Sequence, residues 1–337
     1  MNVRRRLLAG LIGAAAIATA APAFAAADMA AAKTEGKIVW YTSAPIKQAQ
    51  QLVNMFKDKT GLEVELFRSG GSAIMRRYLQ ERDAKRAYCD VLTTSDPAEM
   101  TMLAEKGAFT AFKPDGIEQV PKDAIEPHNF YVGQRLNIVA NYYRDDKISD
   151  ADAPKTMKDL LDPKHKSKMV MADPSFSSLQ LAVVGMTAKT LGWDYYAKLR
   201  KNDTMVVQGA QQVVEMVKRG ERLIAVGASD SYATSARAEG RAIKTIEPPD
   251  GTFLIPSPTA IIADAPHPNA AKVFVDFLLS KEAQALVPAS GGYAARKDIP
   301  PPKGNAPLAS ITTTPVDYSY IEKNAGAIKK KFNEVFE

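Results

Sequence analysis

The chain has 337 residues, a formal net charge of +6 and 46% hydrophobic residues. Because a single hydrophobic core stops growing at about 250–300 residues, this length favours two lobes. The basic excess is mild, and Arg4, Arg5 and Arg6 account for half of it, so the charge gives no support for nucleic-acid binding.

The N-terminal segment, residues 1–25, has the pattern of a secretory signal peptide. Three arginines precede an uncharged apolar run from Leu7 to Ala21, and Ala23-Phe24-Ala25 follows as a small-residue cleavage site. The run is too short and too rich in alanine and glycine to cross about 30 Å of hydrocarbon. We therefore expect a periplasmic protein whose mature chain does not insert into a membrane; the sequence leaves the Sec and twin-arginine routes open.

After this leader, strand patterns alternate with amphipathic helix patterns. The first strand is predicted at 38–41, and the helix after it begins near Pro45 and ends at Gly61. Ser72 is the candidate N-cap of the next helix. A third strand and helix start are predicted within 90–97. Strands separated by helices of about 10–15 residues indicate crossover connections and a parallel sheet, which is an α/β fold.

The second half of the chain predicts a second lobe. Leu136–Tyr143 is an extended run, longer than the other strands, with no helix directly ahead of it. Residues 168–171 and 223–227 predict further strands. One amphipathic helix is expected from Ala270 to Val287, and a last helix from Tyr320 to Phe336 is expected to act as a packing brace.

The predicted strands that precede helices end in hydroxyl side chains, carboxylates or glycine. In open α/β sheets these strand ends converge on one crevice, and helix N-termini there favour an anion. Each such residue alone indicates only a helix cap, but five segments on one edge indicate a ligand cleft. The candidate ligand-binding residues are Ser43, Ser69, Gly70, Ser95 and Asp96 from the first lobe and Asp173, Ser175, Asp230 and Tyr232 from the second.

Patterns for catalysis and cofactors are weak. The segment 227–231 imitates a nucleophile elbow but lacks the closing glycine, and no histidine is placed for a triad. Gly70-Gly71 fits neither dinucleotide nor P-loop spacing. The three histidines are far apart in sequence and none is near Cys89, which is expected to be a buried residue. We expect no catalysis, no cofactor and no resident metal.

Three segments carry a family resemblance: Gly36–Ser43, Phe56–Val64 and Pro268–Gln284. Together they resemble the periplasmic solute-binding proteins of ABC importers, in the group that holds the ferric-iron-binding proteins. The resemblance covers essentially the whole mature chain. It implies a type II fold, in which two lobes, each a mainly parallel sheet flanked by helices, are joined by hinge strands. The implied bounds are 36–137 plus 256–290 for lobe 1 and 138–255 plus 291–337, with the C-terminal helix brace, for lobe 2.

The resemblance also implies where a metal ligand set would lie. The iron binders use a histidine after the first strand, a glutamate after the third and two adjacent tyrosines after a strand of the second lobe. The corresponding positions here are Pro45, Ser95 and Ser231-Tyr232, so one phenol remains. A set of Tyr232, Asp230 and Asp96 is sparse for a hard trivalent ion unless a synergistic anion completes it.

The sequence therefore predicts a protein whose lobes close on a small anionic organic solute, such as a phosphorylated, phosphonate or carboxylate compound. We expect a monomer that delivers this solute to an inner-membrane ABC permease with its ATPase. The alternative is a ferric-iron-binding protein with an incomplete tyrosine pair, and the second alternative is an exported hydrolase that uses Ser229.

Overall fold

The computed structural model describes residues 27–337, and the predicted signal peptide lies outside them. Within 27–337, no helix is long and apolar enough to cross a membrane. The strands are β1 (Lys37–Thr42), β2 (Glu63–Arg68), β3 (Val91–Thr93), β4 (Phe109–Thr110), β5 (Val132–Arg144), β6 (Met169–Ala172), β7 (Met205–Val207), β8 (Ile224–Ser229), β9 (Ile243–Ile246), β10 (Phe253–Ile262) and β11 (Tyr293–Ala294).

The helices flank these strands in an alternating order. They are α1 (Met29–Glu35), α2 (Ile46–Thr60), α3 (Gly71–Asp83), α4 (Pro97–Glu105), α5 (Ser178–Leu191), α6 (Trp193–Lys201), α7 (Ala210–Arg219), α8 (Asp230–Ala238), α9 (Pro268–Leu279), α10 (Lys281–Ala289) and α11 (Tyr318–Phe336). Short 3-10 turns lie at Ile117–Gln119, Lys122–Ala124, Lys158–Leu161, Pro163–His165 and Leu308–Ser310.

The strands form one sheet with the order β2-β1-β3-β10-β5-β8-β6-β7. At one end β2, β1 and β3 run parallel, and at the other end β7, β6 and β8 run parallel. Between them, β10 and β5 run antiparallel to each other and to their outer neighbours. The predicted α/β architecture, with a mainly parallel sheet in each half, is confirmed.

We call the β2-β1-β3 end, with α1–α4, α9 and α10, lobe 1, and the β7-β6-β8 end, with α5–α8 and α11, lobe 2. In lobe 1, Trp40 and Phe56 each pack edge-to-face on Phe274 of α9. In lobe 2, Phe332 of α11 packs edge-to-face on Tyr196 of α6. Each lobe therefore buries its own aromatic cluster, and such edge-to-face pairs stabilise a core beyond their buried area.

Two long strands run through both lobes. β5 pairs with β10 over 132–139 and with β8 and β9 over 139–144. β10 continues past this pairing to β3 and β4 over 259–262. The predicted bounds at 137/138 and 255/256 fall inside these two strands, and the bound at 290/291 falls between α10 and β11. The predicted domain bounds stay a prediction.

Some local predictions differ from the structure. The single helix predicted from Ala270 to Val287 is two helices, because Ser280 ends α9 and its side chain caps α10. α3 begins at Gly71 with Gly70 in the N-cap position, so Ser72 is not its cap. β7 was not predicted, because a strand of three residues is too short to show a period. Cys89 is buried, as predicted.

Candidate functional site

A cavity of about 250 Å³ lies between the lobes. β1, β2 and β3 of lobe 1 and β6, β7 and β8 of lobe 2 all end beside it, as the C-terminal ends of parallel strands are expected to do. Its wall consists of the segments that follow these six strands and of two residues of hinge strand β5. The lining residues fall at 43, 45, 68–71, 73, 95, 176–179, 208–212, 229, 231 and 232, together with Arg135 and Asn137.

The structure brings five of the nine predicted site residues together in this wall. Four are from lobe 1 and one is from lobe 2: Ser43, Ser69, Gly70, Ser95 and Tyr232. The hydroxyl of Ser95 also lies 2.6 Å from that of Ser257 on β10, so the cavity wall is bonded to a hinge strand. That these five residues contact a ligand stays a prediction.

The other four predicted residues do not line the cavity. Asp96 caps α4 by accepting a hydrogen bond from the Glu99 amide at 3.1 Å. Asp173 accepts one from the Ser175 amide at 2.6 Å. Asp230 is buried and accepts hydrogen bonds from the side chains of Thr234, Thr245 and Asn305. Within residues 27–337, no aspartate or glutamate is among the lining residues.

The sequence analysis missed Arg135, which is 4% exposed and lines the cavity from β5. Its Nε donates to Ser257 Oγ at 3.1 Å and its Nη1 to Gln48 Oε1 at 3.3 Å. Both partners are neutral. The pKa of Arg135 is lowered to about 10, chiefly by burial and to a smaller extent by the nearby Arg68, and Tyr232 opposes the shift. The guanidinium remains a cation at neutral pH, without a carboxylate to compensate it.

Arg68, at the end of β2, is the second cation in the wall. Its Nε donates to the Ala44 carbonyl oxygen at 2.9 Å, and its Nη2 donates to the Tyr232 hydroxyl at 3.4 Å across the cleft. Neither acceptor is charged, and no ion pair to Arg68 or Arg135 occurs in the part of the chain that the structure describes. Two guanidiniums therefore share one cavity without a counter-charge.

Several helices begin at the cavity without a side-chain cap. At α2, α3, α7 and α8 the N-cap residues are Pro45, Gly70, Gly209 and Ser229, and none has a side chain that accepts a hydrogen bond from the first turn. By contrast, Ser177 caps α5. Uncapped helix N-termini present free N–H groups and partial positive charge, which favour an anionic acceptor.

Hydroxyl groups in the wall also lack partners. The buried Oγ atoms of Ser43, from lobe 1, and Ser178, from lobe 2, have no hydrogen-bond partner in the structure. An unpartnered buried polar group costs free energy comparable to a lost hydrogen bond. The oxygen atoms of a bound solute would satisfy both groups at once.

The lobes touch each other where two glycines of lobe 1 face the loop before α5. A Cβ atom on Gly70 would overlap the carbonyl oxygen of Phe176, and one on Gly71 would overlap Ser178 Oγ. Arg76 adds a hydrogen bond to the Ser175 carbonyl oxygen at 3.4 Å. These glycines are therefore needed for the close approach of the two lobes, since any side chain would hold them apart.

The missed residues had signals of different strength. Arg135 is a charged residue inside a long apolar strand, a placement that is costly unless the charge has a partner or a role. Arg68 directly precedes the predicted Ser69-Gly70 pair, but the sequence pattern indicates only that it ends a strand. The segment 208–212 gave no signal, because it follows the short strand β7.

The donor set does not fit a ferric ion. Of the predicted metal set, Tyr232 lines the cavity, whereas Asp230 and Asp96 do not. Within residues 27–337, no group of three or more His, Cys, Asp or Glu is arranged to hold a metal ion. Two guanidiniums in the wall also repel a cation. For the hydrolase alternative, Ser229 Oγ lies 2.9 Å from Ser231 Oγ, and no histidine lines the cavity.

Comparison with known proteins gives a family match. Residues 87–324 match the family model described as bacterial extracellular solute-binding protein. A Salmonella typhimurium protein named for the periplasmic binding of 2-aminoethylphosphonate is 27% identical over 279 residues, which cover 79% of this chain and 77% of that protein. The family-model match, residues 87–324, includes parts of both lobes.

Solved structures give the same fold. The periplasmic binding protein AfuA of Actinobacillus pleuropneumoniae, with fructose-6-phosphate bound, superposes with a TM-score of 0.79 at 20% identity, over 89% of this chain and 98% of that one. Iron-bound HitA of Pseudomonas aeruginosa superposes with a TM-score of 0.73 at 21% identity, over 89% and 99%. The predicted type II fold is confirmed.

Proposed function

This chain belongs to the bacterial extracellular solute-binding protein family, and from that premise we propose that it captures a small anionic organic solute in the periplasm for an ABC importer. The observation that most strongly supports an anionic solute is the pair of guanidiniums, Arg68 and Arg135, in a cavity whose described lining includes no carboxylate. A phosphate, phosphonate or carboxylate group between them would compensate both charges with charge-assisted hydrogen bonds.

The remaining parts of the wall support the same solute. The uncapped N-termini of α3 from lobe 1 and of α7 and α8 from lobe 2 supply backbone donors. The cavity of about 250 Å³ is slightly smaller than a typical ligand pocket of about 300–1,000 Å³, which suits a small solute. An AfuA structure holds fructose-6-phosphate, and the Salmonella relative is named for a phosphonate. Both compounds carry a phosphate or phosphonate group, the anionic group that we propose the arginines bind.

Binding works through closure of the lobes. Ligand contacts come from both lobes, so the solute stabilises the closed arrangement over an open one. The residues that would hold it are Ser43, Ser69, Gly70 and Ser95 of lobe 1, Ser178 and Tyr232 of lobe 2, and Arg68 and Arg135. β5 and β10, which pass through both lobes, would act as the hinge.

The partners and location follow from family membership. We propose that the chain is exported by the signal peptide of residues 1–25, acts as a monomer without catalytic activity, and passes its solute to an inner-membrane permease with its ATPase. Ferric iron is not favoured as the cargo, although related folds bind it, because the cavity is lined by two cations and one phenol.

Isothermal titration of the exported, purified chain tests this function. Sugar phosphates, phosphonates and small carboxylates form the panel, and ferric ion with a carbonate or citrate anion is the contrast. We expect tight, saturable binding of at least one organic anion, and no visible tyrosinate-to-iron absorption band under excess iron. Silence across the organic panel, or a strong absorption band, would show that the proposal is wrong. For any variant that removes a cavity arginine, the control is Arg241→Gln, which removes one positive charge at an exposed position outside the cavity and should leave the affinity unchanged.

A further inference from the structure

We propose that the cavity selects solutes whose only charged group is an anion and discriminates against zwitterions that also carry an ammonium group. The preferred solute joins a phosphate, phosphonate or carboxylate to a neutral, hydroxylated remainder. This inference rests on the proposed function and names the solute class of the same cavity. It separates the chain from the relative named for 2-aminoethylphosphonate, which is a zwitterion.

The wall offers an ammonium group no charged partner. A cation taken out of water needs an anion or several strong acceptors to offset its lost hydration. Among the residues that the structure describes, no aspartate or glutamate lines the cavity. The nearby carboxylates of Asp96, Asp173 and Asp230 accept hydrogen bonds from other groups of the protein and lie outside the wall. An ammonium group in the cavity would therefore be desolvated without compensation.

The two arginines make this cost larger. In a solute as short as an aminoethyl phosphonate, the ammonium lies only a few ångströms from the anionic group that Arg68 and Arg135 hold. At such distances and in a partly buried site, the repulsion between unit charges lowers the affinity by about tenfold or more. The same positive potential that attracts the anion thus repels the amine.

A hydroxyl group meets a better match in the same place. The unpartnered hydroxyls of Ser43 and Ser178 donate or accept as needed. Gln208, Gln211 and Gln212, at the start of α7, add neutral amides to the wall. These groups can hydrogen-bond to a sugar or alcohol hydroxyl without a charge in the solute, so the cavity is polar but has no preference for a cation.

Paired titrations test the discrimination. Each pair differs only by an amine in place of a hydroxyl: 2-aminoethylphosphonate against hydroxyethylphosphonate, an amino-sugar phosphate against the parent hexose phosphate, and β-alanine against hydroxypropanoate. We expect the hydroxyl member of every pair that binds to bind about tenfold or more tightly. Equal or tighter binding of the amine would overturn this inference and leave the anion-binding function standing. Silence of all pairs and of the wider anion panel would overturn both.

A charge introduced into the wall tests the cause. The side-chain Oε1 of Gln212 accepts a hydrogen bond from the backbone N–H of Gln208 at 2.8 Å. A glutamate at position 212 can accept the same bond through a carboxylate oxygen. We expect Gln212→Glu to reduce the preference for the hydroxyl member by about threefold or more, because the new carboxylate can pair with an amine. Gln50→Glu adds the same charge on the exposed side of α2 and should leave the ratio unchanged. An unchanged ratio in Gln212→Glu would contradict the electrostatic explanation.

Discussion

Two of the places where the lobes meet have opposite chemistry. At the cavity, Arg68 and Arg135 have only neutral partners. Behind it, α4 of lobe 1 packs against α11 of lobe 2, and there Asp96 and Glu99 are crowded together. Burial raises the pKa of Glu99 to about 7, with Asp96 and Glu322 adding to the shift and Lys329 opposing it.

The comparison distinguishes the arginine charges of the cavity, which a ligand could neutralise, from the carboxylate charges of the α4–α11 contact, which a proton could neutralise. Both places contain ionisable groups with unfavourable burial, but only the cationic one lines a cavity large enough for a solute. The α4–α11 contact adjusts its charge by binding a proton instead. Substitutions at the first place should therefore change affinity, and substitutions at the second should change stability and its dependence on pH.

The largest expected effect comes from Arg135→Gln. The substitution removes a charge-assisted contact with the anion, and we expect the affinity to fall about 100-fold. Because the cation is buried without a counter-charge, the free energy of unfolding of the ligand-free protein should stay the same or rise. Titration calorimetry and urea unfolding measure the two quantities. A fall in stability without a fall in affinity would mean that Arg135 has only a structural role.

A smaller effect is expected from Gly70→Ala. The backbone of Gly70 has φ −67° and ψ 150°, which alanine adopts without strain. In this arrangement of the lobes the new Cβ would overlap the Phe176 carbonyl oxygen of lobe 2, so we expect it to oppose their close approach. We expect about tenfold weaker binding with little change in the stability of the open form. Gly326→Ala, in α11 with open space around it, is the matched control and should leave affinity unchanged.

Tyr232→Phe should weaken binding only about threefold, because it removes one long hydrogen bond, the one that the phenol accepts from Arg68 at 3.4 Å. The same substitution would abolish binding of a ferric ion, since Tyr232 is the one phenol at the predicted metal position. Titration of the variant with both classes of ligand separates the two cargoes, and complete loss of organic-anion binding would contradict our account of the wall.

The smallest effect on affinity is expected from Glu99→Gln, at the acidic contact. Because the folded-state pKa lies above the ordinary value of 4.5, the folded chain retains a proton that the unfolded chain releases. Stability from this group is therefore full below about pH 4.5 and is lost as the pH rises towards about 7. Glutamine should raise the free energy of unfolding by about 2 kcal/mol at about pH 8 and leave it unchanged at about pH 4. Equal stability of both proteins at every pH would contradict the assignment.

The same contrast shows what the sequence could predict. The α/β order and the edge on which the cleft lies follow from local patterns, because strand ends and helix starts are local. The use of Asp230 is not local, because Asn305, which lies 75 residues away, donates a hydrogen bond to it. A sequence pattern indicates which residues are polar but not which partner each will find, so predicted contacts and simple caps could not be told apart.

Arg135 shows the opposite limit. Its position in β5 was visible, but its neutral surroundings come from Gln48 of α2 and Ser257 of β10, which only the fold brings together. The charge of the cavity is therefore a tertiary property. It could not be obtained from the mild net charge of the chain.

A crystal structure of the exported chain with the tightest organic anion from the titrations tests the central claim most directly. Our account predicts that the phosphate, phosphonate or carboxylate group lies within hydrogen-bonding distance of both Arg68 and Arg135, between the closed lobes. An anion bound away from both guanidiniums, or a ferric ion held by Tyr232 in their place, would contradict it.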